Sequence, residues 1–155
     1  MCDLSTAAVG RGWFDLSVVV VAVGVLVVDG RVLLGLRSPD KHAHPNAWDR
    51  PGGVVGGDES ELVALARELR EELGVVVSPR SVSLLCRAVV GDAADPAHLG
   101  VWLVEAWDGT PRNLAPAEHL ELGWFAADEL PPLVHPSVHE SVLEALRSGA
   151  RPSGV

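Results

Sequence analysis

Apolar and polar positions change period several times along this chain, and each change predicts an element. From Ser17 to Val28 (SVVVVAVGVLVV) almost every position is apolar and many are β-branched. A strand with one wet face would alternate, so the run predicts a central strand covered on both faces. Asp29-Gly30 is a two-residue hairpin signal, and Arg31 to Leu36 (RVLLGL) is the return strand. Arg37 to Asn46 is a polar loop with Pro39 and Pro45. The period then becomes helical, with Leu62, Leu65, Ala66, Leu69 and Leu73 forming a buried stripe. Asp58 is the expected N-cap, with Glu61 completing a capping box, and Gly74 supplies a left-handed C′ position. Beyond it, Val75 to Val77 opens a strand that Ser78-Pro79 breaks. Ser81 to Val90 and Leu99 to Trp107 (LGVWLVEAW) read as antiparallel neighbours, and Asp108-Gly109 as a turn. A short strand follows at Leu122 to Phe125, then one helical turn at Asp128, Glu129 and Leu130, stopped by Pro131-Pro132. Ser137 to Arg147 is the closing helix, with a Ser137/Glu140 capping box, a buried side of Val138, Val142, Leu143 and Leu146, and Gly149 as its end. Strands, a helix, strands and a second helix predict an α+β fold, a sheet sandwiched between helices.

That pattern divides the chain into an N-terminal extension over 1–16, one domain over 17–149 and a tail over 150–155. Trp13 and Phe14 of the extension are positioned to pack on the domain. At 155 residues such a chain buries roughly 70% of its unfolded surface, enough for a core without staples. Cys2 and Cys86 are too few for a disulfide framework. Cys86, in a strand, reads as buried and inert. The start of the chain lacks a basic segment followed by an apolar one, so no signal peptide is expected. Val18 to Val28 is about half the ~20 residues that a membrane helix needs. These features point to a cytoplasmic protein with no membrane partner. A formal net charge of −9 without a basic run excludes non-specific nucleic-acid binding, which depends on Lys and Arg.

The acids carry the chemistry. Glu68, Glu71 and Glu72 fall three and four residues apart inside the helical segment, within roughly 100° of one face. Like charges so placed cost a helix about 0.2–0.5 kcal/mol per pair, which stability alone would not select. Oxygen-preferring cations such as Mg²⁺ or Mn²⁺ remove the repulsion and need few protein carboxylates when substrate phosphates complete their shell. An acidic protein that handles phosphates must recruit positive charge in this way. The acid sector lies beside the apolar stripe, off the buried side, so it is expected at a cleft edge with Arg67 paired to Glu71.

Gly53, five residues, Glu59, seven residues, Arg67-Glu68-Leu69, one residue, Glu71-Glu72, one residue, Gly74-Val75 resembles a complete Nudix box. The preceding Trp48-Asp49-Arg50-Pro51-Gly52-Gly53 is similar to that family's W-x-x-P-G-G lead-in, with Arg50 where an apolar residue is commoner. Gly57-Asp58 reverses the usual polar-then-Gly order before Glu59. Glu118 to Phe125 followed by Asp128-Glu129-Leu130 looks like its closing pattern. The resemblance implies a mixed sheet between helices and a loop–helix–loop box. Within the MutT-like branch it implies that Glu68 is the base or orients it, with Glu71 also near the chemistry. Gly53 (through its carbonyl), Glu68, Glu71 and Glu72 would hold metal, and Glu118, or else Glu121 or Glu105, would complete the site. Arg67 would orient the acids, while Gly52, Glu59 and Gly74 would shape the box.

Arg37 and Arg50 are candidate phosphate contacts. Trp102 and Trp107 could stack on a base, although aromatics in apolar strands usually belong to the core. His42-x-His44 and His135 with His139 lack the second set of ligands that zinc requires. The function expected is Mg²⁺- or Mn²⁺-dependent hydrolysis of a nucleoside triphosphate to monophosphate and pyrophosphate, by a monomer or homodimer. The alternatives are hydrolysis of ADP-ribose-like dinucleotides or RNA 5′ ends, or a nucleotide-sensing module without turnover. An isopentenyl-diphosphate isomerase would need a catalytic Cys that Cys86 does not obviously supply. The absence of Tyr and of a Pro about 15 residues past Val75 tilts the substrate toward nucleoside triphosphates.

Overall fold

The computed structural model of the protein describes residues 18–147. The expected extension over 1–16 with its Trp13, Phe14 and Cys2, the strand start at Ser17 and the helix stop at Gly149 lie outside the described residues. The fold is built on β1 (Val19–Val28), whose positions 22 to 27 are all buried. Its residues alternate between two cores. Val23, Val25 and Val27 join Val32, Leu34, Val101, Val142 and Leu146 on one face. Ala22 and Leu26 join Leu33, Leu65, Leu69 and Leu73 on the other. That double coverage is why the strand's sequence does not alternate.

Asp29 and Gly30 take left-handed angles, φ 52° and 73°, and turn the chain into β2 (Arg31–Arg37). Two short strands follow, β3 (Trp48–Asp49) on β2 and β4 (Gly52–Val54) on β1. Helix α1 (Glu61–Leu73) comes next, then β5 (Val76–Val77), β6 (Val82–Val90), β7 (Ala97–Val104), β8 (Trp107–Asp108) and β9 (His119–Ala126). A 3₁₀ turn at Pro136–Val138 leads into α2 (His139–Arg147). The main sheet runs β3-β2-β1-β7-β6, with β4 also on β1 and β9 also on β2. β1 and β7 are parallel, an arrangement that needs the long crossover containing α1. β6 and β7 are antiparallel, as expected. The architecture is the α+β sandwich that the sequence predicts, α1 covering one face and α2 the other.

Several boundaries differ from expectation. The N-cap of α1 is Ser60, whose Oγ accepts the Val63 N–H at 3.1 Å, and not Asp58. Glu61 is drawn away from a local box by the Trp102 indole N–H at 3.0 Å and by Arg87. Leu62 is 40% exposed, Ala66 is half-buried, and Ala64 lies in the core. Glu72, expected off the buried stripe, is on it at 7% exposure. The segment Leu99 to Trp107 divides into β7 and β8, the latter pairing with β5. The strand expected at Leu122 begins three residues earlier, at His119. The closing helix starts at His139 behind the 3₁₀ turn instead of at Ser137, because Pro136 fits only the first turn and His135 before it has φ 58°. Ser141 and Ala145 are buried with Val142 and Leu146, while Leu143 is only half-buried. The turn at 128–130 is present as a 3₁₀ segment, Ala127–Glu129.

Candidate active site

Helix α1 lies against the β1–β4 edge because its Leu65, Leu69 and Leu73 fill the core beneath it. Full burial of each contributes about 1.5–3 kcal/mol. This packing carries the acid face onto the glycine segment. Gly52, at φ 149°, sits so close to β1 that a Cβ would overlap the Ala22 carbonyl. Pro51 O accepts the Gly24 N–H at 2.8 Å and Val20 O the Val55 N–H at 2.8 Å, so both ends of the segment are bonded to β1. At Gly53 a Cβ would stand 2.5 Å from Glu68 Cδ and 2.7 Å from both carboxylate oxygens. The Glu68 carboxylate therefore rests on the bare Cα of Gly53.

Arg67 joins the acids to the loop. Its Nε and Nη2 donate to the two Glu59 oxygens at 2.7 and 2.8 Å. Its Nη1 donates to Glu68 Oε1 at 2.9 Å and Glu71 Oε1 at 3.1 Å, and Nη2 also reaches Val54 O at 3.3 Å. Glu59 in turn accepts the Gly56 N–H at 2.9 Å. Those donors, Arg67 first, hold the Glu59 carboxyl down at about 2, and the Glu59 and Glu68 carboxylates raise the Arg67 guanidinium further. Glu68 moves the other way. Burial, with the neighbouring Glu72 carboxylate added, pushes it up to about 7 against the pull of Arg67.

Glu72 has its own partners. Its Oε1 accepts from the Gly52 N–H at 3.3 Å and lies 3.2 Å from His119 Nε2. The loop between β8 and β9 secures this corner. Leu114 N–H donates to the Glu72 carbonyl at 2.8 Å and Arg112 N–H to the Leu73 carbonyl at 3.0 Å, so two otherwise unpaired carbonyls at the end of α1 are satisfied. Asn113 Nδ2 holds the His119 carbonyl at 2.7 Å. Gly74, at φ 73°, ends the helix as expected.

The remaining candidates are distributed less compactly. Glu71 is 58% exposed on its side chain and, among the described residues, forms its ion pair with Arg67. Glu118 pairs with Lys41, which holds its carboxyl below the usual range. Arg37 donates from Nε to Ala43 O at 2.9 Å and lies 3.5 Å from Asp49. Arg50, expected as an open phosphate contact, is closed off from solvent. Its Nη2 meets Asp49 Oδ1 at 3.3 Å and Val134 O, and burial lowers its pKa more than Asp49 raises it. A cationic residue where an apolar one is usual has been folded inward with the apolar geometry of that position. Trp102 is committed to Glu61 and stacks under Arg87, and Trp107 packs with the α1-side core. His44 and His135, from two separate sequence clusters, meet edge to face at 5.3 Å. His119 emerged from the structure alone: no local pattern reveals a contact made across 47 residues.

Among the described residues, no three His, Cys, Asp or Glu side chains gather into a ready-made metal site. What converges is the Glu68–Glu72 pair over Gly53. Two hard oxygen donors, with the charge on Glu68 disfavoured by burial and by Glu72, fit a divalent cation whose shell is completed by phosphate and water oxygens. They do not fit a closed structural site.

A family model described as NUDIX domain matches residues 18–146. The chain is 36% identical over 110 residues to a CTP pyrophosphohydrolase of Escherichia coli (strain K12), an alignment covering 70% of this chain and 76% of that protein. It is 31% identical over 121 residues to an 8-oxo-dGTP diphosphatase of the same organism, covering 76% and 92%. Among solved structures it resembles a MutT NUDIX hydrolase from Burkholderia pseudomallei, with a TM-score of 0.72 and 37% identity over 81% of this chain and 95% of that one.

Proposed function

This chain belongs to the Nudix family, and from that premise we propose that it hydrolyses a nucleoside triphosphate, ordinary or oxidised in its base, to monophosphate and pyrophosphate with Mg²⁺ or Mn²⁺. The observation that carries this reading is the Glu68 carboxylate resting on Gly53, beside Glu72 and pinned by Arg67. Glu68, Glu72 and the Gly53 carbonyl would hold the cation, with Glu71 and Glu118 supplying charge from the rim. A bound cation there would neutralise phosphate charge and make water a better nucleophile at neutral pH. Glu68, resting on Gly53 and held by Arg67, would orient the attacking water or accept its proton. Arg67 holds Glu68 and Glu71 in place and Glu59 anchors Arg67, so the acids do not depend on the substrate for their arrangement. The names of the similar proteins, a CTP pyrophosphohydrolase and an 8-oxo-dGTP diphosphatase, support a nucleoside triphosphate.

The test is a panel of NTPs, dNTPs, oxidised dNTPs, ADP-ribose and 5′-triphosphorylated RNA with Mg²⁺ or Mn²⁺, detecting pyrophosphate and phosphate separately. Pyrophosphate from a nucleoside triphosphate, falling about 10²-fold or more in kcat in Glu68→Gln and Glu72→Gln, is the expected result. Turnover confined to ADP-ribose or RNA would replace the substrate. Tight nucleotide binding with no turnover would replace the activity.

A further inference from the structure

We propose that His119 is a positioning residue for Glu72, donating its Nε2–H to Glu72 Oε1 so that the other carboxylate oxygen is presented to the cation. The proposal rests on the reading above, in which Glu72 holds metal. Its ground is that the ring is held by more constraints than packing requires. A bulge in β9 sets His119 opposite Arg37 while Glu121 faces Leu36, which turns the histidine inward and leaves Leu120 outside. Both backbone groups of His119 are bonded, the N–H to Ala115 O at 2.9 Å and the carbonyl to Asn113 Nδ2 at 2.7 Å. The ring lies on Gly35, where a Cβ would stand 2.6 Å from Nδ1.

The two ring nitrogens are treated differently. Nε2 lies 3.2 Å from the carboxylate, whereas buried Nδ1 has no hydrogen-bond partner. A buried polar atom left unsatisfied is costly, so a ring selected only to fill space would be apolar. A carboxylate can only accept, which places a proton on Nε2. Gly52 N–H donates to the same Oε1. Two donors on one oxygen stop the carboxylate rotating and direct the second oxygen elsewhere. Outer partners of metal ligands act in this way, and their loss costs about 10–100-fold in metal affinity.

The test exploits side-chain reach. Glutamine carries its amide nitrogen as many bonds from Cα as His Nε2, and asparagine as many as Nδ1. Mn²⁺ affinity is measured by calorimetry on the substrate-free protein, for wild type, His119→Gln, His119→Asn, His119→Phe and Glu72→Gln. We expect His119→Gln to stay within about threefold of wild type, while Asn and Phe weaken Mn²⁺ about tenfold or more. His119→Asn binding as tightly as wild type, or His119→Gln binding as weakly as His119→Asn, overturns the proposal. The Gln and Asn variants are of equal polarity, so a general loss of stability would affect both and cannot mimic the expected split. Nitrogen-15 shifts of the metal-free wild type give a second reading: a proton on Nε2 is expected, and a bare Nε2 overturns the assignment. Failure of the wild type to bind Mn²⁺, or binding by Glu72→Gln that equals it, refutes the metal reading itself and is a separate result from any His119 effect.

Discussion

Replacing Gly53 with alanine separates catalysis from folding in this protein. Gly53 is not among the glycines with positive φ, so the alanine backbone is unstrained. Its Cβ would stand 2.5 Å from Glu68 Cδ, whereas carbon atoms in contact prefer about 3.5–4.0 Å. The carboxylate must therefore retreat by about 1 Å or more, and a displacement of that size costs about 10²-fold in rate. The obstructing atom ends a flexible side chain, so the fold gives way cheaply, by about 1 kcal/mol or less. Gly52→Ala is the contrasting variant. Its Cβ meets the β1 backbone at Ala22 and Val23, and its φ of 149° is one that side chains rarely adopt, so it should cost about 3 kcal/mol or more in stability. Steady-state pyrophosphate release and thermal melts on both variants make the comparison. A folded Gly53→Ala protein with kcat within about twofold of wild type, or one that melts as early as Gly52→Ala, would refute the placement of Glu68 and the reasoning from it.

If Glu68 holds the cation as proposed, metal binding should depend on pH. Burial pushes its carboxyl up to about 7, so below that pH a cation must displace a proton; Mn²⁺ affinity should rise up to tenfold per pH unit from about pH 6 and level off near pH 8, and calorimetry showing flat or falling affinity would contradict this. A carboxyl raised in the folded state favours folding below its ordinary pKa and ceases to do so as pH passes about 7, so the metal-free melting temperature should fall across that interval. Ser60→Ala should cost about 1 kcal/mol by chemical denaturation, while Asp58→Ala should cost nearly nothing; the reverse order would place the helix cap where the sequence alone suggests. Trp102→Phe removes the indole N–H from Glu61 and should cost about 1–3 kcal/mol with KM unchanged, whereas a large KM increase in a stable protein would mean that Trp102 contacts the base.

Elements set by local periodicity were legible in the sequence. The unbroken apolar run of β1, the Asp29-Gly30 turn and the Leu65–Leu69–Leu73 stripe each encode their structure within a few residues, and the spacing of Glu68, Glu71 and Glu72 encodes a shared face. What was not legible depends on partners distant in the chain. Asp58 and Ser60 are both competent caps, and the choice turns on Glu61, whose side chain is taken by Trp102 of β7 and Arg87 of β6, strands distant in the chain. Arg50 reads as a surface cation until the fold encloses it against Val134. Glu72 reads as one of three equivalent acids, yet the Gly52 N–H and His119 draw it into the interior while Glu71 stays in solvent. The difference between those neighbouring residues is the part of the site that periodicity could not supply.

The loop from Arg112 to Ala115 limits how this scaffold can diversify. One short segment grips the carbonyl of Glu72 through Leu114, that of Leu73 through Arg112 and that of His119 through Asn113. A residue inserted within it would shift an acid and its imidazole partner out of step with one another. Lengthening just upstream, between Gly109 and Pro111, leaves all three grips in phase. Insertions at that upstream point can therefore lengthen the loop without moving Glu72 and His119 relative to one another.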